Sequence, residues 1–362
     1  MDFKRYIRQI NLSEIGQDGQ STLYNSKVAI IGAGGLGIPA ALYLAGAGVG
    51  KIEIFDFDKI ELSNLHRQVI YTEDDIDKYK AEVLSFHINR MNSSIECNAH
   101  TEMINENNAL TFLKESDIIL DCSDNTETRY IINDACVLLN KAFVSASIYK
   151  YEGQLGLFNY NEGPTYRCLY ERSKNSSNIA SCEEVGVLAT LPGIMGALQA
   201  NETLKCLLNI GVLLSGKIMI TSSLNYNTSI YDIERNEDTV NKVKRHGINY
   251  DKDLFDSDID IDNVALQKLI SEDDCVLIDV REENEMPFVD DKKIIKMPMS
   301  KGFNPDLITN KKNIICFCQS GIRSQGVAKY LRNEGFKAYN LIHGMSELEL
   351  SGLFEFKYEK FL

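Results

Sequence analysis

Val28-Ala29-Ile30-Ile31-Gly32-Ala33-Gly34-Gly35-Leu36-Gly37 decides the fold. An apolar run stops at Gly32, and Gly32, Gly34 and Gly37 then form G-x-G-x-x-G. Glycines at this spacing let a chain leave a buried strand, turn tightly and start a helix. They also let the backbone approach a phosphate at that helix N-terminus. The pattern predicts a strand over 27–31 and a helix over 36–47. The run from Val28 to Gly50 carries no charge and is long enough to span a membrane. It also holds seven glycines and Pro39. A strand, a turn and a buried helix fit it better, so no membrane partner is expected.

Working outward, an apolar run at 51–55 predicts a second strand, which ends at Asp56. A carboxylate there can bind ribose hydroxyls. Strands are expected at 117–121 and 142–146, and helices at 78–91 and 126–139. Strands alternating with helices imply a parallel sheet covered on both faces, a Rossmann-like α/β fold. Residues 217–233 read as two short strands with a turn at 225–227. A smaller α/β unit follows, with strands at 276–280 and 314–317 and a helix at 324–333. Between the two, Asp251, Asp253, Asp256, Asp258, Asp260 and Asp262 are opposed only by Lys252, a solvated linker by its charge. The expected limits are a first domain over 1–245, an acidic linker over 246–262 and a second domain over 263–362. The glycine fingerprint alone leaves open an NAD-dependent oxidoreductase, another nucleotide enzyme, or a tight turn that binds nothing.

The 362 residues suffice for two or three domains. A net charge of −14 argues against nucleic acid as a partner, because a phosphate backbone needs basic patches. The nine cysteines are odd in number and scattered. They read as reduced thiols, and with no apolar run behind Lys4, Arg5 and Arg8 the expected location is cytoplasmic.

Four further segments narrow the choice: Asp56-Phe57-Asp58, Ser63-Asn64-Leu65-His66-Arg67-Gln68, Lys80-Ala81-Glu82 and Cys122-Ser123-Asp124-Asn125. With the glycine turn, they resemble the molybdopterin-synthase and thiamine-carrier adenylyltransferases, bacterial relatives of ubiquitin-activating enzymes. The resemblance runs over about residues 3–233. It implies ATP and magnesium as cofactors. It places Gly35 against the phosphates and Asp56 on the ribose. Asn64, Arg67 and Lys80 would contact phosphates, with Ser63, Leu65, His66 and Asn125 in the same binding segments. Asp124 would ligate magnesium, and Arg8 would reach into the partner's site of a homodimer. These residue types suit the chemistry. Joining a carboxylate to the α-phosphate of ATP crowds negative charge, which cations neutralise without becoming nucleophiles. Taken singly, Arg67 and Lys80 would read as surface charges, and Asp124-Asn125 as a helix cap.

Cys182 follows a Ser/Asn-rich loop, in Ser181-Cys182-Glu183-Glu184. In the family this loop cysteine takes the acyl group or later forms a disulfide; a plain structural thiol is the alternative. Many members bind zinc through two Cys-x-x-Cys pairs. Here the first is Thr165-Tyr166-Arg167-Cys168, and no cysteine lies between Cys206 and Cys275 to form the second. One thiol cannot close a tetrahedral site, so no zinc is expected. Cys97, Cys122, Cys136 and Cys206 fall in predicted strands or helices and read as core thiols.

Asp279-Val280-Arg281-Glu282 and Cys318-Gln319-Ser320-Gly321-Ile322-Arg323-Ser324 resemble a single-domain rhodanese, over about residues 262–350. Cys318 would sit among backbone N–H groups at a helix N-terminus, which stabilise a thiolate or persulfide, and Arg323 adds positive charge. Four residues separate Cys318 from Arg323, one fewer than in Cys-dependent phosphatases, giving a loop sized for sulfur. Cys316 shares the strand face of Cys318 and reads as packing. Gly344-Met345 departs from the usual glycine pair.

Together the motifs predict ATP-dependent adenylation of the terminal glycine of a ubiquitin-like sulfur carrier ending in Gly-Gly. Sulfur transfer would follow from a persulfide protein or a small-molecule donor, giving a thiocarboxylate. Arg67, Asp124, Cys182 and Cys318 carry the predicted chemistry. Molybdenum-cofactor, thiamine and tRNA-thiolation routes all use similar enzymes. The alternatives are a non-catalytic scaffold for a ubiquitin-like partner and an NAD-dependent oxidoreductase.

Overall fold

The computed structural model describes residues 3–170, 186–250, 259–271, 275–283, 285–301 and 313–357. They fall into two compact units, the first through Tyr250 and the second from residue 259.

The first unit is built on β1 (Lys27–Ile31), β2 (Lys51–Phe55), β3 (Glu96–His100), β4 (Ile118–Asp121), β5 (Ala142–Tyr149), β6 (Glu152–Phe158), β7 (Lys217–Ser222) and β8 (Thr228–Asp232). They form one sheet in the order β3-β2-β1-β4-β5-β6-β7-β8. Pairing is parallel from β3 to β5 and antiparallel from β5 to β8. Alternation along β1 divides the core. Val28 and Ile30 pack with Leu44 and Met195 on one face, and Ala29 and Ile31 with Ile131 and Ala135 on the other. Helices therefore cover both faces, as a parallel sheet needs. The chain reverses its winding between β1 and β4, and ligands of open α/β sheets bind at such a point.

Gly37 opens the helix Gly37–Ala47, and a Cβ there would lie 1.8 Å from Gly32 O. Gly32 has φ +102°, with Cys122 O 2.6 Å from the place a Cβ would take. The fingerprint glycines are thus required by close approach and by backbone conformation.

The helix Thr190–Leu208 has no clear apolar stripe, whereas the short, mostly polar helix Glu237–His246 has a narrow one. Thr190–Leu208 buries Gln199, Glu202 and Thr203. Glu237–His246 buries only Thr239, Val240 and Val243, with the two valines packed on Val137. Asn236 caps the latter, accepting from Thr239 N.

The second unit has β9 (Asp260–Ile261), β10 (Cys275–Asp279), β11 (Phe288–Val289), β12 (Ile294–Lys296), β13 (Asn313–Phe317), β14 (Ala338–Leu341) and β15 (Phe356–Lys357). A parallel sheet runs β12-β10-β13-β14-β9, and β11 pairs with β15 apart from it. The expected acidic linker thus contributes Asp260 to an edge strand, while Asp251, Asp253, Asp256 and Asp258 lie outside the described residues. No helix among the described residues is long and apolar enough to cross a membrane.

Candidate active site

One cavity opens at the carboxyl ends of β1, β2 and β4. Ile31, Phe55 and Cys122 line it, with Gly32, Gly34 and Gly35 of the glycine turn. Among the residues expected from sequence, it gathers Gly35, Asp56, Asn64, Arg67, Lys80, Asp124 and Asn125.

Local turns explain this gathering. A 3-10 turn over Leu62–Asn64 is closed by Glu61 and Asn64 as a capping pair. Asn64, Arg67 and Gln68 then face inward at helical spacing. Ser63 and His66 face outward and are exposed, and Leu65 is half-buried against the core. None of these three lines the cavity. His66 Nδ1 lies 3.0 Å from Ser63 O, and Arg67 Nη1 donates to the same carbonyl at 2.9 Å. Arg8 is exposed on the short helix Ile7–Ile10 and is not among the lining residues.

The charged groups differ in how they are held. Asp56 accepts from Ala33 N at 2.6 Å and Asp58 N at 2.8 Å. Burial raises its carboxyl above the ordinary range, against the pull of the Lys80 ammonium and the two N–H donors. Lys80 is 7% exposed and donates to Asp58 Oδ2 at 2.8 Å. Asn125 spends its side-chain oxygen capping the helix Thr126–Leu139 through Thr128 N at 2.8 Å, worth about 1 kcal/mol. Asp124, exposed one residue earlier, makes no side-chain hydrogen bond or ion pair among the described residues. It is a lining carboxylate free to meet a cation, as is the exposed Glu102.

Asp58, Gln68, Glu102 and Arg129 also line the cavity. Asp58 and Gln68 stand inside the quoted motifs, while Glu102 and Arg129 had no sequence signal. Arg129 Nη2 donates to Ser123 O at 2.7 Å. Cys122 follows β4 instead of lying inside it, and so becomes a wall of the cavity. Its thiol is pushed up by burial. Cys97, on β3, is raised to about 12, again mainly by burial. Both are poor nucleophiles.

Cys182 lies outside the described residues. Cys168 accepts from Thr165 N at 3.4 Å and Asn236 N at 3.2 Å. Beside it, Arg167 is 1% exposed and forks onto Asp134 at 2.7 and 2.9 Å. Its guanidinium lies 4.6 Å from the ring centre of Tyr130 and 4.9 Å from that of Tyr250. A buried, paired arginine therefore lies between Thr165 and Cys168, the two positions that the family's first Cys-x-x-Cys pair would take. Among the described residues, no cluster of three or more His, Cys, Asp or Glu could hold a metal ion.

In the second unit, β13 ends on Phe317 and Cys318 lies at the floor of the following loop, with no exposed surface. Gly321 N donates to its sulfur at 3.1 Å, and Ser324 Oγ lies 3.4 Å away. Gly344 has φ +49°, and a Cβ there would overlap Cys318 O at 2.0 Å. That one glycine is the part of the usual pair this loop cannot lose. Arg281, 4% exposed, forks onto Asp279 at 2.9 and 2.8 Å and reaches Gln319 Oε1 at 3.5 Å. The Asp-Val-Arg segment thus braces the sulfur loop. Cys316 is buried on the face it shares with Cys318. The helix Ile322–Asn333 follows, and the half-buried Arg323 at its start forks onto Glu285, donating from Nη1 and Nη2 at 2.6 Å each, so its positive charge is paired.

Known proteins match both units. The ThiF family model matches residues 6–242, and the rhodanese-like domain model matches residues 262–350. An Aedes aegypti protein named adenylyltransferase and sulfurtransferase MOCS3 is 47% identical over 219 residues, 60% of this chain and 50% of that protein. The match thus spans about half the length of that relative. A Drosophila persimilis protein of the same name is 33% identical over 94% of this chain and 81% of its own length. Among solved structures, E. coli MccB with MccA-N7isoASN aligns with a TM-score of 0.57 and 26% identity, covering 65% of this chain and 73% of that one. E. coli MccB with AMPCPP and MccA aligns equally well, at the same TM-score, identity and coverage. The chain belongs to the ThiF family and carries a C-terminal rhodanese-like domain.

Proposed function

We propose that this protein adenylates the C-terminal glycine of a ubiquitin-like sulfur-carrier protein and delivers sulfur to it through Cys318. The observation that carries the reading is the makeup of the first cavity. A glycine turn at a helix start, Arg67, Lys80 and an Asp124 with no partner among the described residues meet at one sheet end. The names of the mosquito and fly relatives support it, as does the likeness to MccB solved with a nucleotide analogue.

In the proposed cycle a carboxylate oxygen of the carrier attacks the α-phosphorus of ATP. The bond to the bridging oxygen breaks, and pyrophosphate leaves with the electron pair. Gly34 and Gly35 admit the phosphates, Asp56 holds the ribose, and Asn64, Arg67 and Lys80 stabilise phosphoryl charge. Asp124 would supply an oxygen of the kind magnesium takes beside substrate phosphates, and the metal held there would neutralise further charge. The terminal sulfur of a Cys318 persulfide then attacks the acyl carbon, directly or after transfer to Cys182, and AMP leaves. A thiol, Cys182 or an external one, cleaves the resulting acyl disulfide. It keeps the oxidised sulfur as a new disulfide and releases the thiocarboxylate. Joining both activities in one chain raises the sulfur donor's effective concentration. The test is AMP release with several purified carriers ending in Gly-Gly; release should require one of them.

The same reading takes the protein as a homodimer acting in the cytoplasm and assigns Arg8 to the partner's site, because it is exposed and does not line its own chain's cavity. Arg8→Ala and Asp124→Ala proteins, each inactive, should regain part of the activity once co-assembled. Mixed dimers with no recovered activity would count against shared sites.

A further inference from the structure

Gln68 is a lining residue of the nucleotide cavity with no place in the cycle above. It is 3% exposed. Its backbone is pinned at both ends: N donates to Asn64 O at 3.0 Å, and O accepts from Tyr71 N at 3.1 Å. The carboxamide oxygen is buried and has no hydrogen-bond partner among the described residues. The amide nitrogen lies toward the glycine turn, 3.5 Å from where a Cβ on Gly34 would stand.

A buried acceptor left unsatisfied costs stability, and an apolar side chain of the same shape would avoid that cost. Such a group at a cavity wall calls for an explanation in ligand binding or chemistry. The cavity's chemistry selects the end of the amide that is used. Phosphoryl oxygens only accept, so the useful end is the donor, Nε2, which already lies beside Gly34.

We propose that Gln68 positions the nucleotide by donating from Nε2 to a phosphoryl oxygen. The bond strengthens as charge builds on the α-phosphoryl oxygens during carboxylate attack. Being neutral, the donor answers this local rise in charge without adding to the cationic attraction that Arg67 and Lys80 give ATP. Its contribution therefore falls on kcat more than on the KM for ATP. This inference rests on the adenylation reading.

The experiment uses the full-length protein, carrier-dependent pyrophosphate exchange and thermal unfolding, with Gln68→Met and Gln68→Glu. Gln68→Met keeps the length and removes both polar ends. It should melt at or above the wild-type temperature yet lose about 10²-fold in exchange kcat, with the ATP KM little changed. Gln68→Glu replaces the donor with a carboxylate and should lose at least as much. Wild-type kcat in Gln68→Met overturns the assignment. So does a parallel loss of stability and activity in that variant, which would make Gln68 a packing residue. No exchange by the wild type with any carrier overturns the adenylation reading, and this inference with it.

Discussion

Asp124→Ala should lower carrier-dependent pyrophosphate exchange by about 10³-fold while leaving Cys318 able to take up sulfur. The carboxylate it removes has no protein partner among the described residues. Nothing in the fold is therefore released by its loss. The adjoining helix keeps its cap, because Asn125 accepts from Thr128 N. In the proposed cycle the loss falls on the carboxylate that would face metal-bound phosphates. Cys318 belongs to the other compact unit and keeps its contacts with Gly321 N and Ser324. Three readings check this: the exchange rate, the unfolding temperature, and a one-sulfur mass gain after incubation with a persulfide donor. Exchange within about tenfold of wild type would remove Asp124 from the reaction.

Cys318→Ala should give the reverse pattern. The variant should form acyl-adenylate and exchange pyrophosphate at close to the wild-type rate. It should make no thiocarboxylate when free sulfide is limiting. The sulfur lies on the loop floor between β13 and the helix Ile322–Asn333, and none of the cavity-lining residues belongs to that unit. Burial pushes the nearby Cys316 thiol up, which leaves it a poor substitute. Lost exchange in a folded Cys318→Ala protein would show that the two activities are not independent. An undiminished thiocarboxylate yield would make the second unit a docking module.

The parts of this fold legible in the sequence are those set by local geometry. Gly32, Gly34 and Gly37 are dictated by backbone contacts a few residues long, so their spacing marked β1 and the helix after it. The Asn64, Arg67 and Gln68 positions follow from one turn. The Cys318 loop likewise lies between adjacent elements. What escaped reading depends on distant partners. In the helix Thr190–Leu208, Gln199 is buried because it donates to Asp121 O and Val144 O. Glu202 is buried because it accepts from Leu214 N. Polar residues on an inward face erase the apolar period by which a helix is recognised. Arg129 reached the cavity, and Arg167 the core, through pairings that neighbouring residues do not announce. Gln68 was visible as a motif letter, but its unsatisfied oxygen exists only in the folded chain.

The central claim, carboxylate activation, is tested most directly by exchange of labelled pyrophosphate into ATP, run with a panel of purified ubiquitin-like carriers ending in Gly-Gly. At least one carrier should drive exchange, and removing its terminal glycine should stop it. A folded protein that binds ATP but exchanges no label with any of the carriers would contradict the claim.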